Sequence, residues 1–496
     1  MKIGVIPLDE RPVNTRYPAL LGRIAGVELV LPPPDLLSRF RTPAPADHLV
    51  AWLRDVAGSL DALIFSTEML GYGGLIASRI THDEREDVLA RLDVLRAMRR
   101  LYPSLRIFGS TLITRISRHN DATEEPDYWA DYGARLFQLS HLMDQAMQGM
   151  LVEEEVVAIR SQIPQPHFMD FIKRRRRNHL VNRVMMDMLS EGVIDLLVLS
   201  SDDTSQYGLA SREKRALVEI AMRCPAANRL LIYPGADEVT SVLLARLINE
   251  AAGYAPSIAS TYLVPGGEQV TAPFEDGPIH HTVKQQIAAT GAIQVSQRDA
   301  ADLLLFVNPP LAVNAEWPRA YTATEAAHRL PHLDEGVTRL TNALRAGRRV
   351  LVADVAIANG ADPALFERLR SRVELMNLGA FAAWNTAGNT LGTALAQGCI
   401  QHHAQDNAAQ AYFLAHRLIE DWAYQTVVRD RVQNWLKQTT GQPEPAPDRI
   451  AQTAERIASE LNVMLPAVLP GWKVENVRLP WNRTFEIDFD LRSTSY

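Results

Sequence analysis

Short apolar runs recur along this chain, and each gives way abruptly to polar residues. Ile3–Pro7, Val27–Leu31, Ala62–Phe65, Leu105–Phe108, Leu196–Leu199, Arg229–Tyr233, Ile258–Val264, Leu303–Val307, Val350–Ala353 and Met376–Ala383 read this way. Most are continuous rather than alternating, Leu196–Leu199 most clearly, which predicts strands buried on both faces, as in a parallel sheet covered by helices. Helical patterns lie between them, at Leu49–Val56, Arg85–Arg99, Glu124–Met150, a stretch running from Lys173 past Met188, and Ser211–Arg223. Beyond residue 400 the pattern is helical, Asp406–Gln438 and Asp448–Leu465, with a Pro-rich linker from Gln442 to Pro447. Trp472–Leu491 alternates in places and predicts a closing β-hairpin. The expected fold class is α/β: a parallel (β/α) barrel-like core, a helical C-terminal region and a terminal β-hairpin. The alternative is two doubly wound α/β domains, because nine or ten strand candidates exceed the eight of a barrel. The expected division is a core over 1–400, within which 257–375 is a candidate flavodoxin-like subdomain, and a C-terminal region over 401–496.

Polar residues gather where strands end, the place where α/β enzymes keep their chemistry. The sharpest case is Leu196–Leu199 followed by Ser200, Ser201, Asp202 and Asp203. Two acids at a strand end suit acid chemistry; the plain reading is that one of them caps the next helix. Asp9, Arg11 and Asn14 follow the first strand, as a ligand set or as a loop staple. Glu68 and Tyr72 follow the third, with Gly71, Gly73 and Gly74 allowing close backbone approach, and then Ser78 and Arg79. Arg115 follows the fourth. Lys173–Arg177 is a block of five cations ahead of Asn178; the default is a solvated helix face, the alternative that one or two arginines turn inward toward the acids. Tyr207 follows the acid pair, and Tyr233 ends a strand that runs into Pro234-Gly235-Ala236-Asp237-Glu238, an acidic pair that serves either a helix cap or a ligand. Trp384, Asn385 and Asn389 bring an aromatic plate and two amides to one strand end; this suits a sugar, and equally a core tryptophan beside a helix cap.

Composition narrows the field. The 496 residues are 47% apolar and 22% charged, the profile of a globular protein, and the net charge of −7 argues against non-specific binding to nucleic acid or an anionic membrane. Two cysteines, Cys224 and Cys399, exclude a disulfide framework and a cysteine zinc site. The amino terminus lacks a signal-peptide layout and no run of about 18 apolar residues occurs, so a cytoplasmic location is expected. Neither a GxGxxG fingerprint nor a Walker lysine is present, and no cofactor is expected.

Many acids, several arginines and an aromatic plate without a phosphate loop point to a neutral polyhydroxylated ligand, a small carbohydrate. Glycoside hydrolysis uses two carboxyl groups in different protonation states. Here Asp203 is expected to be the general acid and Asp202 the substrate-orienting group, provided the strand is already bending at Asp202. One rival is a Mg²⁺- or Mn²⁺-dependent hydrolase or lyase with Glu68, Asp202, Asp203 and Asp237 as oxygen ligands. Another is a non-catalytic sugar-binding protein.

Six segments together carry a resemblance. They are Pro-Leu-Asp-Glu-Arg-Pro-Val-Asn (7–14), Glu68–Arg79, Arg177-Asn178, Asp202-Asp203 with Tyr207-Gly208, Pro234–Glu238 and Trp384–Asn389. The chain resembles the bacterial domain-of-unknown-function family numbered 4127 over nearly its whole length, a likeness that implies no activity. Locally, the Asp202-Asp203 strand end resembles the acid pair of retaining β-N-acetylglucosaminidases, which are barrels, and the Trp384-Asn385 strand end is similar to their sugar platform.

Overall fold

Ten apolar runs become ten strands, and with one further two-residue strand they form two open parallel sheets rather than one barrel. The structure is a computed structural model that describes residues 1–202, 204–312 and 315–493. The chain divides into two compact units. The first holds Met1–Glu10, Glu28–Thr240 and Phe274–Asp276; the second holds Arg11–Val27, Ser241–Pro273 and Gly277–Tyr496.

The first unit contains β1 (Lys2–Ile6), β2 (Glu28–Val30), β3 (Ala62–Ser66), β4 (Arg106–Ile113), β5 (Leu196–Ser201) and β6 (Leu230–Pro234), in the order β2-β1-β3-β4-β5-β6. All their pairings are parallel. Alternate strand residues share a face: Leu63 and Phe65, Ile107 and Leu197, and Leu199 pack with Leu49, Leu53, Val181, Met185 and Leu189 from covering helices.

The second unit contains β7 (Ser257–Tyr262), β8 (Ile293–Gln294), β9 (Leu303–Asn308), β10 (Arg349–Asp354) and β11 (Ala380–Ala382), in the order β11-β10-β9-β7-β8. Read from its first strand, this is again second, first, third, fourth, fifth, the flavodoxin-like winding seen in the first unit. Its core joins Leu304, Phe306, Val350, Val352 and Phe381 to Leu333, Val337, Leu365 and Phe366. The C-terminal helices Asn407–Arg417, Arg429–Thr440 and Ile450–Val468 and the antiparallel hairpin β12 (Trp472–Arg478) and β13 (Asp488–Ser493) belong to this unit, and Leu418, Ile457, Val474 and Phe489 join the same core.

The barrel-like closure therefore does not form; the doubly wound alternative does. The physical reason lies in the connections. In each sheet the second strand adds outside the first and the third returns to the first strand's other side, so both ends of each sheet stay open. Apolar strand runs look alike in both architectures, and only this reversal separates them. No helix among the described residues is long and apolar enough to cross a membrane.

One packing contact makes a direct prediction. Gly109 on β4 lies beside Phe65 on β3, and a Cβ at Gly109 would stand 2.5 Å from the Phe65 ring. Gly109→Ala is expected to lower the unfolding free energy by about 1–3 kcal/mol through overpacking, with partial recovery in Gly109→Ala/Phe65→Leu. Urea unfolding midpoints equal to wild type would show that the ring moves aside freely.

Candidate functional site

The ends of β3, β4 and β5 deliver the chemistry of the first unit. After β3 the chain makes a π-turn, Glu68–Tyr72, then Gly73 and Gly74 at φ of 88° and 132°. These glycines do permit a close approach, and what approaches is the chain itself: Cβ atoms there would stand 2.9 Å from Ala44 N and from Ser38. The turn starts the short helix Leu75–Ile80 and so carries Ser78 and Arg79 inward; the Arg79 side chain is only 3% exposed. Arg79 donates to Asp202 at the end of β5, and to Glu124 Oε2 at 3.0 Å. Arg115, just beyond β4, donates to the same Glu124 oxygen at 2.9 Å.

The long helix Gln165–Ser190 supplies the opposite wall. Its buried face includes Phe171, Arg174, Arg175, Asn178 and Asn182, spaced at three and four residues. Lys173 and Arg176 point to solvent, whereas Arg174, Arg175 and Arg177 are buried. The basic block is thus split by helical periodicity between solvent and interior. Each buried guanidinium has its own partners. Arg174 donates to Asp170 at 2.6 Å, and Arg175 grips Glu213 with two hydrogen bonds, the Nε contact at 2.8 Å. Arg177 donates to the carbonyls of Ser78, Thr81 and Asp83 at 2.8–3.0 Å. Such pairing is what allows buried charge to persist.

Between these walls lies a cavity of about 30 Å³, lined by Arg79, Arg115, Glu125, Trp129, Arg174 and Arg175 among others. It admits a single water-sized group. Among the described residues, Glu125 is the one carboxylate that lines it. Burial pushes the Glu125 carboxyl up to about 7 against the pull of Arg79 and Arg115, and the charges of Glu124 and Asp202 push the same way as burial. Its Oε1 makes no hydrogen bond, with Arg79 and Arg115 nitrogens standing off at 3.9 and 3.8 Å. Arg79 Nε, also buried, has no acceptor. The cavity is thus lined by an unused donor and by an acid poised near neutrality that has one oxygen unused, a combination typical of functional sites.

The residues anticipated from sequence are distributed as follows. Arg79, Arg115 and Asn178 line this cavity, and Asp202 touches Arg79. Asp203 lies outside the described residues. Asn178 donates to Ser78 O at 3.0 Å and accepts from Arg177. Glu68 is buried, bonded to Ser66 Oγ and Leu112 N, and burial raises its carboxyl. Tyr72 is buried with the Arg177 guanidinium 4.9 Å from its ring centre. Asp9 and Tyr233 are each 1% exposed at the ends of β1 and β6; Asp237 and Glu238 are buried, and Glu238 accepts from Ala236 N. Tyr207 is half-buried in the loop after Asp202.

Arg11, Asn14, Trp384, Asn385 and Asn389 belong to the second unit. Arg11 stands 4.5 Å from the Trp481 ring centre and 3.7 Å from Glu486, and Asn14 is buried. The Trp384 plate is 4% exposed and packs on Phe485 at 5.5 Å. Asn385 takes φ of 70°, its Oδ1 accepting from Thr386 N, and Asn389 donates to Thr386 Oγ1 at 3.1 Å.

Sequence reasoning missed Glu124 and Glu125. The signal was present: Glu124-Glu125-Pro126 is a further acidic pair after a strand, but it was absorbed into a helix expected from Glu124. That helix begins at Trp129, because Pro126 disfavours helix at the residue before it.

No curated protein and no solved structure matches the chain, so the local likeness to β-N-acetylglucosaminidases stands on those residues alone. The family model described as "Protein of unknown function (DUF4127)" matches residues 3–490, and the chain belongs to that family.

Proposed function

We propose that the first unit carries a glycoside hydrolase site for a small sugar or amino sugar, with Glu125 as the proton donor. One observation carries this reading: a buried acid held near neutrality inside a cavity, next to a carboxylate, Asp202, that is fixed by an arginine. Glycoside cleavage uses two carboxyl groups in different protonation states, and this environment supplies the asymmetry. The cavity takes one oxygen of the substrate, while the ring stays at its mouth. Glu125 gives its proton to that glycosidic oxygen. The anomeric C–O bond then breaks with its electron pair going to the oxygen, and Asp202 steadies the positive charge left on the ring. Water adds to the anomeric carbon and returns a proton to Glu125.

The test is a panel of glycosides and N-acetylhexosaminides with poor leaving groups, alkyl or unactivated phenyl, assayed with wild type, Glu125→Gln, Asp202→Asn and Asp203→Asn. Loss of turnover in Glu125→Gln and Asp202→Asn is expected. Turnover that survives Glu125→Gln but not Asp203→Asn would return the donor role to Asp203. Wild-type inactivity across the panel would remove the proposal.

A further inference from the structure

Arginines that recognise anionic ligands must have donors to give them. In this cavity, four guanidiniums reach the wall, and each already has a carboxylate of the protein. Arg79 is paired with Asp202, Arg115 with Glu124 at 2.9 Å, Arg174 with Asp170 at 2.6 Å, and Arg175 with Glu213. The pairs are not equivalent. Hydrogen bonds from Arg174 and Tyr128 hold Asp170 below the usual carboxylate range although burial works against them. Burial holds Glu213 above that range, against the charge of Arg175 and its two-point grip. Among the described residues, each of the four cations is matched by a carboxyl group in this way, and Glu125 is a fifth acid beyond them. Among the groups of these lining residues that make no hydrogen bond are the Arg79 Nε–H and the Glu125 Oε1. A hydroxyl can use both groups, accepting from Arg79 and donating to Glu125, and an ether oxygen can accept from both once Glu125 carries its proton. A carboxylate or phosphate would meet matched arginines and an additional acid.

Resting on the glycosidase reading of this site, we infer that the four Arg–carboxylate pairs make it selective for neutral sugars and against uronates and sugar phosphates. Selectivity of this kind works by withholding partners from the wrong ligand. It also identifies the selecting residues: Asp170 and Glu213 occupy guanidiniums that would otherwise bind an anion. Neither touches the reacting atoms in the proposed reaction.

The full-length protein is titrated calorimetrically with glucose and N-acetylglucosamine as neutral probes, and with glucuronate and glucose 6-phosphate as anionic ones. Wild type is expected to bind a neutral probe at least tenfold more tightly than either anion. Asp170→Asn keeps an oxygen acceptor for Tyr128 and Arg174 but removes the charge, and should narrow that ratio at least tenfold. Glu213→Gln does the same at Arg175 and serves if the first variant fails to fold. Anions that bind as tightly as neutral sugars, a ratio unmoved in both variants, or no binding of any probe overturns the inference. Hydrolysis is read separately: a neutral preference that shifts in the variants, in a protein that cleaves nothing, sinks the glycosidase reading and leaves the selectivity standing.

Discussion

Arg417→Met is expected to destabilise the second unit by about 3–5 kcal/mol, the range for breaking a buried ion network from one side. Arg417 is 1% exposed, at the end of the helix Asn407–Arg417 and the start of an eleven-residue π-helical stretch, Leu418–Val428. Its guanidinium donates to Glu420, to Asp421 Oδ1 at 3.0 Å and to His416 Nδ1 at 2.9 Å, and lies 3.8 Å from the Tyr17 ring centre. Tyr17 in turn donates to Glu420, and Asp421 Oδ2 accepts from Ala383 N at 2.8 Å, just ahead of Trp384. Methionine preserves most of the volume but leaves two buried carboxyls without their cation.

The pH dependence distinguishes this cause from lost packing. Burial raises both carboxyls, Asp421 to about 7, and Arg417 is what pulls them down. In the variant both rise further, so the folded state binds protons that the unfolded state releases above about pH 4. Stability then falls as pH rises through that window. His416, held well below its ordinary value by burial and then by Arg417 and Arg16, takes up a proton more readily once Arg417 is gone, which helps the variant at low pH in the same sense. The destabilisation measured by urea unfolding should therefore be larger at pH 8 than at pH 5.5. Equal values at both would show that Arg417 acts by volume alone. Adding Glu420→Gln should recover part of the loss, since one stranded carboxyl is then neutral at every pH.

How far the sequence anticipated this molecule depends on how local each feature is. A buried strand is a local feature: Leu196–Leu199 needs no partner to be recognised, and ten such runs sit where the strands lie. The two-residue β8 was missed because Ile293-Gln294 has no run to see. Strand order is not local, and the expectation of a barrel failed there. Helical periodicity explains the Lys173–Arg177 block, since positions 171, 174, 175 and 178 fall on one face with Phe171 as its apolar marker. Apart from Asp170, the partners of Arg174 and Arg175 come from distant segments. The Trp384 plate faces Phe485, about a hundred residues away, and nothing near Trp384 announces that contact. The π-helical stretch carries no local cue either, because the buried ion network that accompanies it draws Tyr17 from the far end of the chain.

Glu125→Gln is expected to reduce turnover of an unactivated glycoside by about 10²–10⁴-fold, the range for removing a positioned general acid. Glutamine keeps the shape of the side chain, but its amide has no acidic proton to give. Substrates with a strongly acidic phenol as leaving group should lose much less, since their departure needs little protonation. This split between good and poor leaving groups marks a lost acid and would not follow from a merely distorted site. The same assignment fixes the alkaline limb of the pH profile. Activity requires protonated Glu125, so kcat/KM should fall as pH rises through about 7. Arg79 and Arg115 both lower that carboxyl, whereas Glu124 and Asp202 raise it. Arg79→Met removes one of the lowering charges and should move the limb to higher pH even as overall activity drops, because Asp202 and Glu124 lose a partner. Asp202→Asn removes a raising charge and should move the limb the other way. A limb that stays in place in both variants would assign it to a group other than Glu125, and the proton would then have to come from elsewhere in the site.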